Sequence, residues 1–269
     1  MSDAYQALIA DLVDEAEALD AVVANLDEAG LATPTPAEGW TITDQLSHLA
    51  GFDEAGRTAI VDPDGFRSDL DRRLTEGDDP IAGYTAAGRA MTGAAVRDWW
   101  RTARVALVDA ARPLDPKTRV PWYGPPMSAM SHVTARTMET WAHGQEVYDV
   151  LGAVRKNGDR VRNIVVLGNN TYGWTFKVRG EAAPEPRPHL KLTAPSGEVW
   201  LYNDPSTTEV IEGAADEFCQ VVTQVRNIAD TQLKVTGANA KNWMSKAQCF
   251  AGAAEPPPAP GTRKTAVRA

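Results

Sequence analysis

Three residues of this chain have the types and spacing that metal chemistry uses. The run Met138-Glu139-Thr-Trp-Ala-His143 puts a carboxylate and an imidazole four residues apart. On a helix, that spacing sets both side chains on one face, one turn apart. Two such groups can share one divalent ion. Zinc-type sites commonly take three protein ligands and leave the fourth position to water or substrate. The third ligand must then come from another helix. His48, on the inward face of an earlier amphipathic segment, is the natural candidate.

The same pair also suits an ion pair within one helix, or a buried histidine with a satisfied partner. Its neighbours Met138, Trp141, Ala142 and Val147 are apolar, so this face is not plainly solvated. A carboxylate and an imidazole sharing a buried face need a compensating partner. The chain has only 4 histidines. His132 lies about three helical turns before His143, too far along to share the ion. It is expected to be a pocket residue or a structural one. His189 opens a strand and is expected at the surface.

Other chemistries leave no mark. There is no Gly-x-Ser-x-Gly elbow, no phosphate-cradling glycine loop and no dinucleotide fingerprint. Asn169-Asn-Thr171 matches the glycosylation pattern, but no export signal accompanies it. Cys219 and Cys249 lack an activating Cys-x-x-Cys spacing and are expected to be reduced, buried thiols. Arg226 closes an apolar helical run. It suits either an anionic substrate met across a domain interface or simply a helix C-terminus.

The elements that must position these groups follow from periodicity and punctuation. A helix is expected over 4–29, closed by Gly30. A second runs from Thr41 or Thr43 to Val61, with Thr41-Ile-Thr-Asp44 as its start signal. Asp62-Pro63-Asp64-Gly65 is a turn, and 66–79 is part loop, part short helix. Helices follow at about 83–111, 128–151 and 159–177. Between the first two, Val120-Pro-Trp-Tyr-Gly-Pro-Pro126 is a rigid aromatic loop. The character changes at 180, where a Pro-rich linker leads to a hairpin (189–193 and 198–202). A strand at 208–212, a helix at 214–226, a strand at 233–236 and a helix at 238–250 come next. The expected fold class is therefore α+β. A helical bundle occupies 1–180, a small α/β domain 181–253, and a disordered tail 254–269.

The totals are ordinary for a globular protein, with 43% hydrophobic and 23% charged residues. The net charge of −9 and the scattered basic residues argue against nucleic acid. The first twenty residues show neither a basic nor an apolar leader region, and no stretch has membrane-spanning length. A cytoplasmic location is expected. A homodimer is the general default for assembly.

The residues resemble a known family, the DinB-like metal proteins, and within them the mycothiol-dependent maleylpyruvate isomerase group of actinobacteria. Four stretches carry the resemblance: Gly39-Trp-Thr-Ile-Thr-Asp-Gln-Leu-Ser-His48-Leu-Ala; Val120-Pro-Trp-Tyr-Gly-Pro-Pro-Met127; Ala135-Arg-Thr-Met-Glu-Thr-Trp-Ala-His143-Gly-Gln; and Val222-Thr-Gln-Val-Arg-Asn-Ile-Ala-Asp230 with Val235-Thr-Gly. It spans roughly residues 5 to 252.

The resemblance implies a DinB-like four-helix bundle whose metal, by expectation zinc, is held by His48, Glu139 and His143. It implies a C-terminal α/β domain with a catalytic arginine, for which Arg226 is the best match. It implies mycothiol as co-substrate, activated as a metal-bound thiolate. The thiolate would attack a small electrophile, giving cis–trans isomerisation or S-transfer. Trp122, Tyr123, Trp141 and His132 are expected to line the thiol and substrate pocket. Two other readings stay open: a metal-assisted hydrolase, with Asp53 or Glu54 as the nearest extra carboxylates, and a non-catalytic metal or metabolite binder.

Overall fold

The first amphipathic stripe forms α1 (Asp3–Val23). It ends earlier than its pattern suggests. Asp27 accepts a hydrogen bond from the Gly30 amide and starts a separate turn, α2 (Glu28–Leu31). Gly30 therefore sits inside a helix and does not close one. The second helix, α3 (Ile42–Val61), begins on a reciprocal cap, in which the Asp44 amide donates to Thr41 Oγ1 and the Thr41 amide to Asp44 Oδ2.

The Asp-Pro-Asp-Gly turn ends α3 and immediately starts α4 (Pro63–Glu76). Asp62 accepts from the Gly65 amide, and Pro63 occupies a first-turn position where no amide is needed. The long helix expected at 83–111 is two helices, α5 (Pro80–Arg89) and α6 (Gly93–Ala111). Thr92 caps the second through the Ala95 amide, which is what breaks the run. Strands β1 (Arg119–Val120) and β2 (Met127–Ser128) pair antiparallel at the base of the proline loop. The loop leads into α7 (Ala129–Leu151), capped by Ser128 and closed by Gly152 in the left-handed region, φ 60°.

This computed structural model describes residues 3–263 and contains two compact units, one ending at Ala153 and one starting at Val154. In the first, α1, α3, α6 and α7 form the bundle, with α3 against α6 and α7, and α1 against α7. Two apolar clusters fill it. One includes Ile9, Ala55, Ala59, Ala129 and Val133; the other includes Leu19, Leu46, Leu49, Trp100 and Val147. On α3 and α7 polar residues, Gln45, His48 and Asp53 on one and Arg136, Glu139 and His143 on the other, are interleaved with these apolar positions.

The second unit opens with α8 (Arg162–Asn170) and α9 (Tyr172–Lys177), separate helices where one was expected. Strands β3 (His189–Thr193), β4 (Val199–Tyr202), β5 (Val210–Ala214) and β6 (Lys234–Thr236) make a sheet of order β4-β3-β5-β6. β3 pairs antiparallel with β4 and parallel with β5, and β6 is antiparallel to β5. Helices α10 (Ala215–Val222) and α11 (Ala238–Met244) are shorter than their patterns. The α+β organisation is as expected.

The boundary between units falls at 153/154 rather than 180/181, because α8 packs on α10 of its own unit. His189 is also placed differently. It is buried, with Nδ1 3.3 Å from the Asn203 carbonyl, and is not a surface residue. The tail expected from 254 onward is held in place as far as it is described. The Glu255 amide donates to Gln248, Asn227 Nδ2 to the Pro258 carbonyl, and the Gly261 amide to Asp230. Residues 264–269 of that expected tail lie outside the described residues. Cys219 and Cys249 are buried and form no disulfide. Among the described residues, no helix is long and apolar enough to cross a membrane.

Candidate metal centre

The first unit brings His48 on α3 against Glu139 and His143 on α7. Nε2 of each imidazole lies 3.3 Å from Glu139 Oε2. One ligand atom from each residue falls within 4.8 Å of the other two. The ring centroids of His48 and His143 are 4.1 Å apart. His48 is buried, whereas the Glu139 and His143 side chains are 23% and 20% exposed, so the cluster has one open side.

The orientation of His143 is set by Gln45, one turn before His48 on α3. Gln45 Nε2 donates to Thr35 Oγ1 at 3.0 Å, which leaves Oε1 to face His143 Nδ1 at 2.5 Å. The proton of His143 therefore sits on Nδ1, and the lone pair of Nε2 points into the cluster. His48 has no such anchor, since its Nδ1 finds no hydrogen-bond partner among the described residues.

Protonation favours ligation. Burial, reinforced by His143, pushes the His48 imidazole down to about 4, so it is neutral at neutral pH. Burial raises the Glu139 carboxyl, but its contacts with His143 and His48 outweigh that and hold it well below the usual range. An ionised carboxylate and neutral imidazole are the states a metal requires.

Aromatic rings surround the His48–Glu139–His143 cluster. Trp40 stacks on His143 at 5.8 Å and 16°, and also borders a surface groove of about 660 Å³ beside Ile81, Thr85 and Arg89. Phe52 packs on His48 at 4.6 Å. It also meets Tyr84, Trp122 and Tyr123 at 5.2, 6.2 and 5.5 Å. The Tyr84 and Tyr123 hydroxyls are 3.1 Å apart. Gly51 admits Tyr84 to α3, because a Cβ there would stand 2.2 Å from the ring. The proline loop thus reaches His48 through Phe52.

The other candidate residues are distributed unevenly. His132 is 1% exposed, edge-on to Trp122 at 4.8 Å, and fitted against Gly56. Burial, then the Arg136 charge, push its imidazole down to about 3. Trp141 is fully buried. Arg226 lies beyond the end of α10 in the second unit, 5% exposed, with Nη1 donating to the Val225 carbonyl at 2.7 Å. Asp53 is committed to Arg136 at 2.9 Å, and Glu54 is exposed.

Gln45, Phe52, Trp40 and Arg136 carry parts of this site and were not singled out by motif. Helical spacing offered a signal for three of them. Gln45 and Phe52 lie three before and four after His48, and Arg136 three before Glu139.

Comparison with known proteins gives the family and the fold. The family model described as the mycothiol maleylpyruvate isomerase N-terminal domain matches residues 12–148. Uncharacterized proteins from two strains of Mycobacterium tuberculosis are each 36% identical over 244 residues, covering 91% of this chain and 95% of theirs. Crystal structures of the mycothiol-dependent maleylpyruvate isomerase and of a histidine-to-alanine mutant of it superpose with a TM-score of 0.55 at 16% identity. Those matches cover 81% of this chain and 88% of theirs, and they show a shared fold.

Proposed function

The chain belongs to the mycothiol maleylpyruvate isomerase N-terminal domain family, and on that premise we propose that it is a metal-dependent enzyme that activates mycothiol for attack on a small electrophilic metabolite. The outcome of that attack is cis–trans isomerisation or S-transfer. His48, Glu139 and His143 hold the metal, by this reading zinc.

One observation carries the proposal, the convergence of three donor atoms with an open side. Zinc bonds of about 2.0–2.1 Å set tetrahedral ligand–ligand edges of roughly 3.3–3.4 Å. The two imidazole–carboxylate separations of 3.3 Å fit that edge. Bound here, a divalent ion supplies a lowered thiol pKa, so that the thiol is deprotonated at neutral pH.

The chain's own residues do the rest. Gln45 holds the His143 proton on Nδ1 and keeps Nε2 available. Phe52 and Trp40 bracket the two imidazoles and exclude water from their flanks. Trp122 and Tyr123 form the aromatic wall for the thiol and substrate, with His132 behind Trp122. Trp141 is fully buried on α7, so it belongs to the core and not to the pocket wall expected of it. Arg226 supplies the cation for an anionic substrate.

The thiol reading is favoured over the hydrolase reading because Asp53, the buried carboxylate nearest on α3, is tied to Arg136. The test is metal analysis of the purified protein, followed by turnover of candidate electrophiles with and without mycothiol. Stoichiometric metal and thiol-dependent turnover are expected. Absence of metal, or equal turnover without thiol, overturns the proposal.

A further inference from the structure

Among the apolar positions of the bundle, α3 and α7 also meet through a line of polar contacts. Gln45 meets His143, His48 meets Glu139, Asp53 meets Arg136, and Gly56 makes room for His132. On α7 the residues 132, 136, 139 and 143 are spaced four, three and four, so they share one helix face. The third rung stands out. Arg136 Nε donates to Asp53 Oδ1 at 2.9 Å, with the two side chains 3% and 4% exposed.

We propose that Asp53 and Arg136 are the positioning pair of the metal centre, holding the α7 ligands in register with His48 on α3. The inference rests on the metal reading above.

Stability alone does not account for the pair. A buried ion pair is often no more stabilising than well-packed apolar residues of the same size. An apolar contact tolerates sliding of one helix along another. A hydrogen-bonded pair has one register. Arg136 sits one turn before Glu139, and Asp53 little more than one turn after His48, so the pair clamps the helices next to the ligands. The Arg136 guanidinium also lies 5.9 Å from the Phe52 ring centroid, and Phe52 packs on His48. The clamp therefore reaches His48 by a direct chain of contacts.

Charge gives a second reason. A guanidinium this near would repel a divalent cation. Asp53 cancels that charge locally. Arg136 Nη2 has no hydrogen-bond partner among the described residues, while Nε is held by Asp53.

The experiment measures zinc affinity by chelator competition and coordination geometry by the visible absorption of the cobalt(II)-loaded protein. Two variants are compared with wild type: the apolar pair Asp53→Leu with Arg136→Met, and Asp53→Asn. The apolar pair is expected to keep the fold by circular dichroism but to lose zinc affinity by about 10–100-fold, with an altered cobalt spectrum. Asp53→Asn keeps an acceptor for Arg136 Nε but leaves the cation uncancelled, and its affinity also falls. If the apolar pair does not fold, Asp53→Asn decides. A folded variant with wild-type affinity and spectrum overturns the positioning role. Wild-type protein that binds neither ion overturns the metal reading itself, and this inference with it.

Discussion

The side-chain oxygen of Gln45 stands 2.5 Å from Nδ1 of His143. The Gln45 amide nitrogen is already engaged with Thr35, so only the oxygen is free to face the imidazole. This contact decides which nitrogen of His143 is available as a ligand. Partners of this kind around a metal ligand are worth about 10–100-fold in affinity. Gln45→Leu should weaken zinc binding by that amount while Gln45→Glu, which keeps an acceptor, should not. Chelator competition on both variants checks this.

In the proposed metal site His48 is the ligand from α3 and the third of the set. His48→Ala leaves two donors from one helical turn. The variant should lose its metal while the helical circular dichroism persists. Full metal occupancy in that variant would remove the central assignment.

His132 gives a pH signature that is separate from the ligands. Its imidazole is pushed from an ordinary 6.5 down to about 3, first by burial and then by Arg136. Below 6.5 the unfolded chain takes up a proton that the folded chain refuses until about 3. The stability it contributes is therefore full above pH 6.5 and declines as pH falls towards 3, by up to roughly 1.4 kcal/mol per pH unit. His48 acts in the same direction down to about 4. Urea unfolding of the metal-free protein across this window should show a shallower slope for His132→Gln than for wild type, by about one proton. Identical slopes would show that His132 is not held neutral.

The proposed function gives Arg226 a role toward the substrate and none toward the metal. Arg226→Ala should leave the zinc content unchanged. Its thiol-dependent turnover should drop by about 10²–10³-fold, the usual cost of removing one group that stabilises developing charge. Unchanged turnover would withdraw the assignment.

Much of the fold is legible locally. The Thr41–Asp44 cap, Ser128 and Gly152 around α7, and the hairpin at Pro195-Ser-Gly197 act over a few residues, and all appear where their residue types put them. Local signals also misled where two of them competed. The stripe of α1 runs on past Val23 in hydrophobicity, but Asp27 caps a new turn. The apolar positions around 83–111 continue across Thr92, which caps a second helix. A side chain that satisfies orphan amides outweighs periodicity at such points.

By itself the chain's order of residues determined that Glu139 and His143 share a helical face, because a helix turns once in 3.6 residues wherever it forms. It also determined the start of α3 and therefore the rotation at which His48 is presented. Only the tertiary structure decided that His48 meets that pair, that Gln45 orients His143, and that Asp53 is spent on Arg136. It also decided that His132 and Trp141 are buried, and that α8 belongs with the second unit. These are contacts between elements far apart in the chain. They depend on which faces pack together once apolar surface is removed from water, and no spacing within a single helix records that choice.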